Sequence, residues 1–117
     1  MASEITDEFM REMLGKSRIF TVVLLRATPL FDRTKPEQGK IIWEHGRRNF
    51  ELRAKGIMPL VGPLAAPPIV GISVFATSPD ETRALMADDP AVKAGLFEIE
   101  IAEWRSFPGD SLPNPAA

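Results

Sequence analysis

Residues Ser78–Trp104 read SPDETRALMADDPAVKAGLFEIEIAEW. Three local signals follow one another here. Ser78 suits a helix N-cap, Pro79 the first helical position, and Glu81 completes a capping box, so a helix is predicted over Ser78–Ala87. Asp88-Asp89-Pro90 then ends it, because an aspartate before proline starts a turn or caps a short helix after it. From Leu96 to Trp104 the residues alternate. Phe97, Ile99 and Ile101 fall on one face and Glu98 and Glu100 on the other, which is the pattern of a strand with one buried side.

Working back from this stretch, Ile57–Leu64 and Ile69–Thr77 read as two strands joined by the short AAPP, a hairpin. Pro59 and Pro63 place the first of them at a sheet edge or a bulge. Lys40–Lys55 (KIIWEHGRRNFELRAK) is the main predicted helix, with Gly56 as its stop. Thr34 and Glu37 offer a capping box with Pro36 in the first turn, which would start the helix earlier. Arg18–Thr28, rich in β-branched residues, is the first strand. An N-terminal amphipathic helix is expected over Ser3–Lys16, with Ile5, Phe9 and Met13 on one stripe and Gly15 as its stop, packed on the body or on a partner subunit. The tail, residues 105–117, is proline-rich and expected to be irregular.

The order is therefore an extra helix followed by βαββαβ in one domain of residues 1–117. This order predicts an α+β, ferredoxin-like fold: a four-stranded antiparallel sheet with helices on one face. The other face then lacks a cover. A second copy closing it predicts a homodimer through the open sheet face.

Composition excludes several function classes. A net charge of -2 argues against nucleic-acid binding, which needs a basic face. With no cysteine there are no disulfides, thiolate nucleophiles or cysteine-held metals. A single histidine, His45, rules out a multi-histidine metal site, and no metal-binding loop is present, so no metal is expected. There is no phosphate-binding glycine loop and no dinucleotide fingerprint, so no cofactor is expected. No apolar run approaches the roughly 20 residues of a membrane span. The first residues lack the apolar centre of a signal peptide, and a cytoplasmic location is expected.

Few residues remain to carry chemistry. His45 on the main helix suits a general base near neutral pH, or a helix histidine satisfied in the core or at the surface. Asp89 could orient that imidazole and stabilise its cation, or simply cap the turn. In VGPL (Val61–Leu64), Gly62 would let a backbone N–H approach a ligand, or mark a kinked strand edge. Arg47 and Arg48 could meet an anionic substrate, or lie solvated on the helix. Ser73 has no basic neighbour visible in the sequence, so it is a candidate for contacting substrate and not a nucleophile.

The helix histidine, the glycine that closes its helix, Gly62-Pro63-Leu64, the capped SPDETRALMADDP, AVKAGLF and a last strand ending at Trp104 occur in an order that resembles the YCII-related (YciI-like) family of small dimeric α/β barrel proteins. The resemblance covers about residues 18–104. It is most specific in ADDPAVKAGLFEIEIAEW. It implies a ferredoxin-like fold, dimerisation through the sheet, and a cleft in which His45 matches the family's histidine, Asp89 the aspartate of its Asp-Pro turn, and Gly62 and Pro63 its Gly-Pro pair. Family members include dehydrochlorinases of chlorinated hydroxyhydroquinones. Many members carry an acid two residues before the helix-ending glycine, where this chain has Ala54.

Two functions are therefore expected to compete. One is a small enzyme of lyase or dehalogenase type acting on a small hydroxylated or aromatic substrate. It would use His45 as base, Asp89 to orient it, Gly62 N–H for an oxyanion and Arg48 for an anion. The other is a non-catalytic dimeric module that binds a small ligand or a partner. A cleft covered by the Ile5–Phe9–Met13 stripe would favour the second, and an open pocket containing His45 the first.

Overall fold

Val23 and Leu25 sit at the centre of the molecule, on the middle strand of its sheet. The computed structural model describes residues 4–113. Strand β1 (Arg18–Ala27) pairs antiparallel with both β3 (Ile69–Phe75) and β4 (Phe97–Ser106), and β2 (Leu60–Ala66) lies outside β3. Val23 stands opposite Ser73 and Ile101, and Leu25 opposite Gly71 and Ile99. Paired residues share a face, so these side chains form one side of the sheet. Their neighbours Val22, Leu24, Ile72, Glu100 and Ala102 form the other.

Helices α2 (Pro36–Ala54), α3 (Pro79–Ala87) and α4 (Pro90–Lys93) cover the first side. Val23, Leu25, Leu52, Met58, Phe75, Met86, Leu96 and Phe97 bury together there. Each large apolar side chain taken out of water contributes roughly 1.5–3 kcal/mol. The fold is the four-stranded antiparallel α+β arrangement that the order of elements predicts. The charge alternation of β4 survives intact, with Phe97 buried and Glu98 and Glu100 exposed.

Local chemistry explains the boundaries. Ser78 caps α3 by accepting from the Glu81 N–H at 3.2 Å, and its hydroxyl donates to the Glu81 carboxylate at 3.1 Å. Helix α2 ends in a left-handed turn at Gly56, φ +73°. There the Gly56 N–H reaches the Arg53 carbonyl and the Ile57 N–H the Leu52 carbonyl, both at 3.0 Å. This two-bond exit satisfies the last carbonyls of the helix. It also consumes Ile57, so β2 begins at Leu60 instead of Ile57. Met58 turns into the core, 1% exposed. The edge position of β2 and the register shift between Pro63 and Ala66 agree with the proline reading of this strand.

Three expectations are corrected. Helix α2 starts at Pro36, but Thr34 does not cap it: the Thr34 hydroxyl donates to Asp32 at 2.6 Å, and Lys35 is the cap residue, without a side-chain cap bond. The N-terminal helix α1 spans Asp7–Gly15 with Thr6 as its cap, so Ile5 precedes the helix; Ser3 lies outside the described residues. Gly15 sits inside the last turn and Lys16 is the C-cap. Helix α1 buries no residue against the body, and Phe9, Met10 and Leu14 stay exposed.

Candidate active site

The inner stripe of α2 is unusually polar. Gln38, His45 and Leu52 are its buried positions. Gln38 tethers the incoming loop, donating to the Leu30 carbonyl at 2.9 Å and accepting from the Asp32 N–H at 2.8 Å. This fixes the start of the helix against the sheet and thereby the height of His45, two turns further on.

Asp89 reaches His45 from the opposite side, and both carboxylate oxygens are used. Oδ2 accepts from the Ala91 N–H at 2.9 Å and the Val92 N–H at 3.2 Å, capping α4. Oδ1 lies 2.7 Å from His45 Nδ1. Asp89 is fully buried. Thus the capping role and the imidazole-facing role, which compete in the sequence, are held by one side chain at once. Burial, the largest influence, pushes the Asp89 carboxyl up. The hydrogen bond and charge of His45, with the Val92 and Ala91 N–H groups, together outweigh it and hold the carboxyl below its ordinary value.

An ionised carboxylate only accepts. The proton between the two groups therefore sits on Nδ1, and a neutral His45 presents a lone pair at Nε2. Asn49 Nδ2 lies 3.3 Å from Nε2 and is its donor. The Phe97 ring meets the imidazole edge-on, centroids 5.4 Å apart, and fixes its plane from the sheet side.

The Nε2 edge faces a cavity of about 320 Å³ between α2 and the sheet. Both His45 and Asn49 line it, and Asp89 does not. Its apolar walls include Leu25, Ile42, Met58, Val61 and Phe97. Gly71 forms part of its floor: a Cβ there would meet Leu25 Cδ1 at 3.1 Å, so glycine keeps the strand surface low. A larger groove of about 780 Å³ runs along the outer side of α2 past the exposed Trp43 and Phe50. It shares Phe31, Arg33, Ile42, Gly46 and Phe50 with the smaller cavity but contains neither His45 nor Asn49. No residue of α1 lines the smaller cavity.

The other candidates divide. Gly62, Pro63 and Ser73 all line the His45 cavity. Arg48 does not. Its guanidinium donates to the Leu85 carbonyl at 2.6 Å, near the C-terminal end of α3, so the expected anion contact is corrected to a helix-end contact. The helical turn explains this. At about 100° per residue, Asn49 lies roughly 40° to one side of His45 and Arg48 roughly 60° to the other. One side is the cavity and the other is α3. The cation at the cavity is Arg33, which lies over the Phe31 ring at 5.2 Å. Ala54, the departure from the family pattern, lies about half a turn round the helix from His45 and lines the outer groove. Nδ1 is already taken by Asp89, so the pair is complete without an acid at that position. Arg33 and Asn49 escaped the sequence reading. For Asn49 the spacing of four from His45 was the available signal.

Among the described residues no three His, Asp or Glu side chains gather as a metal site requires. No helix among them is long and apolar enough to cross a membrane.

Comparison with known proteins gives no match to a protein-family model and none to a curated protein. Among solved structures, the chain is similar to 5-chloro-2-hydroxyhydroquinone dehydrochlorinase from Burkholderia phenoliruptrix AC1100, in complex with 2,5-dihydroxybenzoquinone. The TM-score is 0.51 at 19% identity, over 73% of this chain and 92% of that one. At this identity the two share a fold.

Proposed function

We propose that this chain is a small enzyme of lyase or dehalogenase type that uses His45 and Asp89 for general acid/base chemistry on a small hydroxylated, aromatic substrate. The observation that carries the reading is the buried His45–Asp89 pair, whose Nε2 edge opens on a cavity of about 320 Å³. A substrate hydroxyl gives its proton to Nε2. The oxygen's freed electron pair moves into the ring as the ring carbon bearing the leaving group takes up a proton from the imidazolium; a second hydroxyl then gives its proton to Nε2, and its electron pair moves through the ring as a leaving group such as chloride departs with its bonding pair. The net loss is one HX. Asp89 stabilises the imidazolium formed on the way. Gly62, Pro63 and Ser73 shape the substrate's far side, and Arg33 takes the anion-steering role first given to Arg48. A positioned base of this kind contributes roughly 10²–10⁴-fold in rate.

The structural neighbour supports the substrate class, since its stated substrate and bound molecule are both small hydroxylated rings. The reading includes a homodimer joined through the outer sheet face, where Phe20, Val22, Leu24, Ile72 and Trp104 surround the Arg26–Glu100 ion pair. It places the protein in the cytoplasm. The second reading, a non-catalytic module that binds a ligand or a partner, draws on the exposed apolar residues of α1.

The test is chloride release from a panel of chlorinated hydroxyhydroquinones by wild type, His45→Gln and Asp89→Asn. The expected loss in each variant is about 10²–10⁴-fold, with unchanged circular dichroism. Undiminished release by His45→Gln removes the enzyme reading and leaves the binding module.

A further inference from the structure

We infer that Asn49 is the substrate-recognising residue of this site, and that with His45 it selects substrates carrying oxygens on two neighbouring carbons. The inference rests on the base assignment above and adds the class of substrate the base receives.

Nε2 has a single lone pair, and in the resting site Asn49 Nδ2 occupies it at 3.3 Å. This is beyond the usual range of a strong N–H···N contact. No proton can be taken by Nε2 until that donor moves aside. Asn49 is half-buried, lines the cavity and makes no other side-chain hydrogen bond among the described residues. Its displaced N–H therefore needs a new acceptor inside a largely apolar cavity, where an unmet donor is costly.

A single substrate hydroxyl supplies the proton for Nε2 but leaves that N–H unmet. A second oxygen on the adjacent carbon meets it. The donor and acceptor nitrogens of the protein are neighbours, and the two oxygens of a 1,2-dioxygenated ring are neighbours in the same way. One hydroxyl then donates to Nε2, the adjacent oxygen accepts from Asn49 Nδ2, and the ring lies between Phe97 and the aliphatic walls. The same side chain that blocks the base at rest becomes the contact that the right substrate rewards. This gives discrimination by a buried polar group that a one-oxygen analogue leaves unpaired.

The probes are catechol and phenol, which differ by that second oxygen. Their dissociation constants are measured by calorimetry for the full chain as wild type, Asn49→Leu and Asn49→Ala. Wild type is expected to favour catechol by roughly tenfold or more, and both variants to bring the ratio to about one, with phenol binding changed by less than about threefold. Asn49→Ala removes the donor without adding bulk or an acceptor, so it answers for any folding defect of the leucine variant. The sole histidine gives a second readout. In ¹⁵N spectra the Nε2 resonance should shift in the Asn49 variants while Nδ1 keeps its proton. A catechol preference that survives in both variants, or one that wild type never shows, overturns the inference. Turnover by His45→Gln bears on the base alone, so the two readings fail separately.

Discussion

Asp89→Ala and Asp89→Asn should destabilise the protein by different amounts, because the two oxygens of Asp89 do different jobs. Alanine removes the cap from Ala91 and Val92, costing about 1 kcal/mol, and strands the buried Nδ1–H of His45, costing about 1–3 kcal/mol. The loss is about 2–4 kcal/mol, or a fall of roughly 8–16 °C in Tm for a domain of this size. Asparagine can keep its carbonyl on α4 and turn its NH₂ toward Nδ1. The imidazole must then carry its proton on Nε2 instead. Stability falls by only about 1 kcal/mol, but the base nitrogen is blocked and turnover drops about 10²–10⁴-fold. Urea unfolding followed by tryptophan fluorescence gives the stabilities, and ¹⁵N spectra of the single histidine give the tautomer. The pH dependence adds a signed check. The folded-state pKa of Asp89 is depressed below the unfolded value of about 3.9. Its contribution is therefore present above that value and lost as pH falls through the folded pKa. Below about pH 4 wild type should lose stability faster than Asp89→Asn, so that the gap between them seen at pH 7 narrows. Equal losses in the two variants, or a tautomer unchanged in Asp89→Asn, would refute the division of labour between the oxygens.

Gly56→Ala should cost about 1 kcal/mol, read by urea unfolding, because φ +73° strains any residue with a Cβ. Ser78→Ala should cost a similar amount by removing the α3 cap, and Ser78→Asp should restore most of it. Ile72→Lys, on the outer sheet face and 40% exposed, should leave the fold intact and shift the sedimentation of the protein from dimer to monomer. An unchanged dimer would move the interface elsewhere.

The parts of this fold that could be read from the sequence are those whose causes are local. The alternation of Phe97, Ile99 and Ile101 against two glutamates, the Ser78–Glu81 cap and the prolines of the edge strand each need only a few neighbouring residues. The failures are of another kind. Thr34 carries a good capping pattern, yet Asp32 two residues earlier accepts its hydroxyl. Ile57 has the composition of a strand residue but is spent on the helix exit. In the site, the meeting of His45 with Asp89 depends on two elements 44 residues apart. Once the facing of His45 is known, simple helical rotation assigns Asn49 to the cavity and Arg48 to α3. Before that, neighbouring polar residues on a helix are equivalent, and nothing local tells that Arg48 turns to the Leu85 carbonyl.

The margins of the sheet bear on what the protein does when it is crowded. On one side Pro63 lacks an N–H and the register breaks between Pro63 and Ala66. On the other, β4 carries Glu98, Glu100, Glu103 and Arg105 along its length. Neither margin offers the clean row of donors and acceptors on which another strand could grow. Fibril growth by adding copies edge to edge is therefore blocked at both ends. In the proposed dimer the copies meet face against face, an arrangement that closes after two and does not propagate.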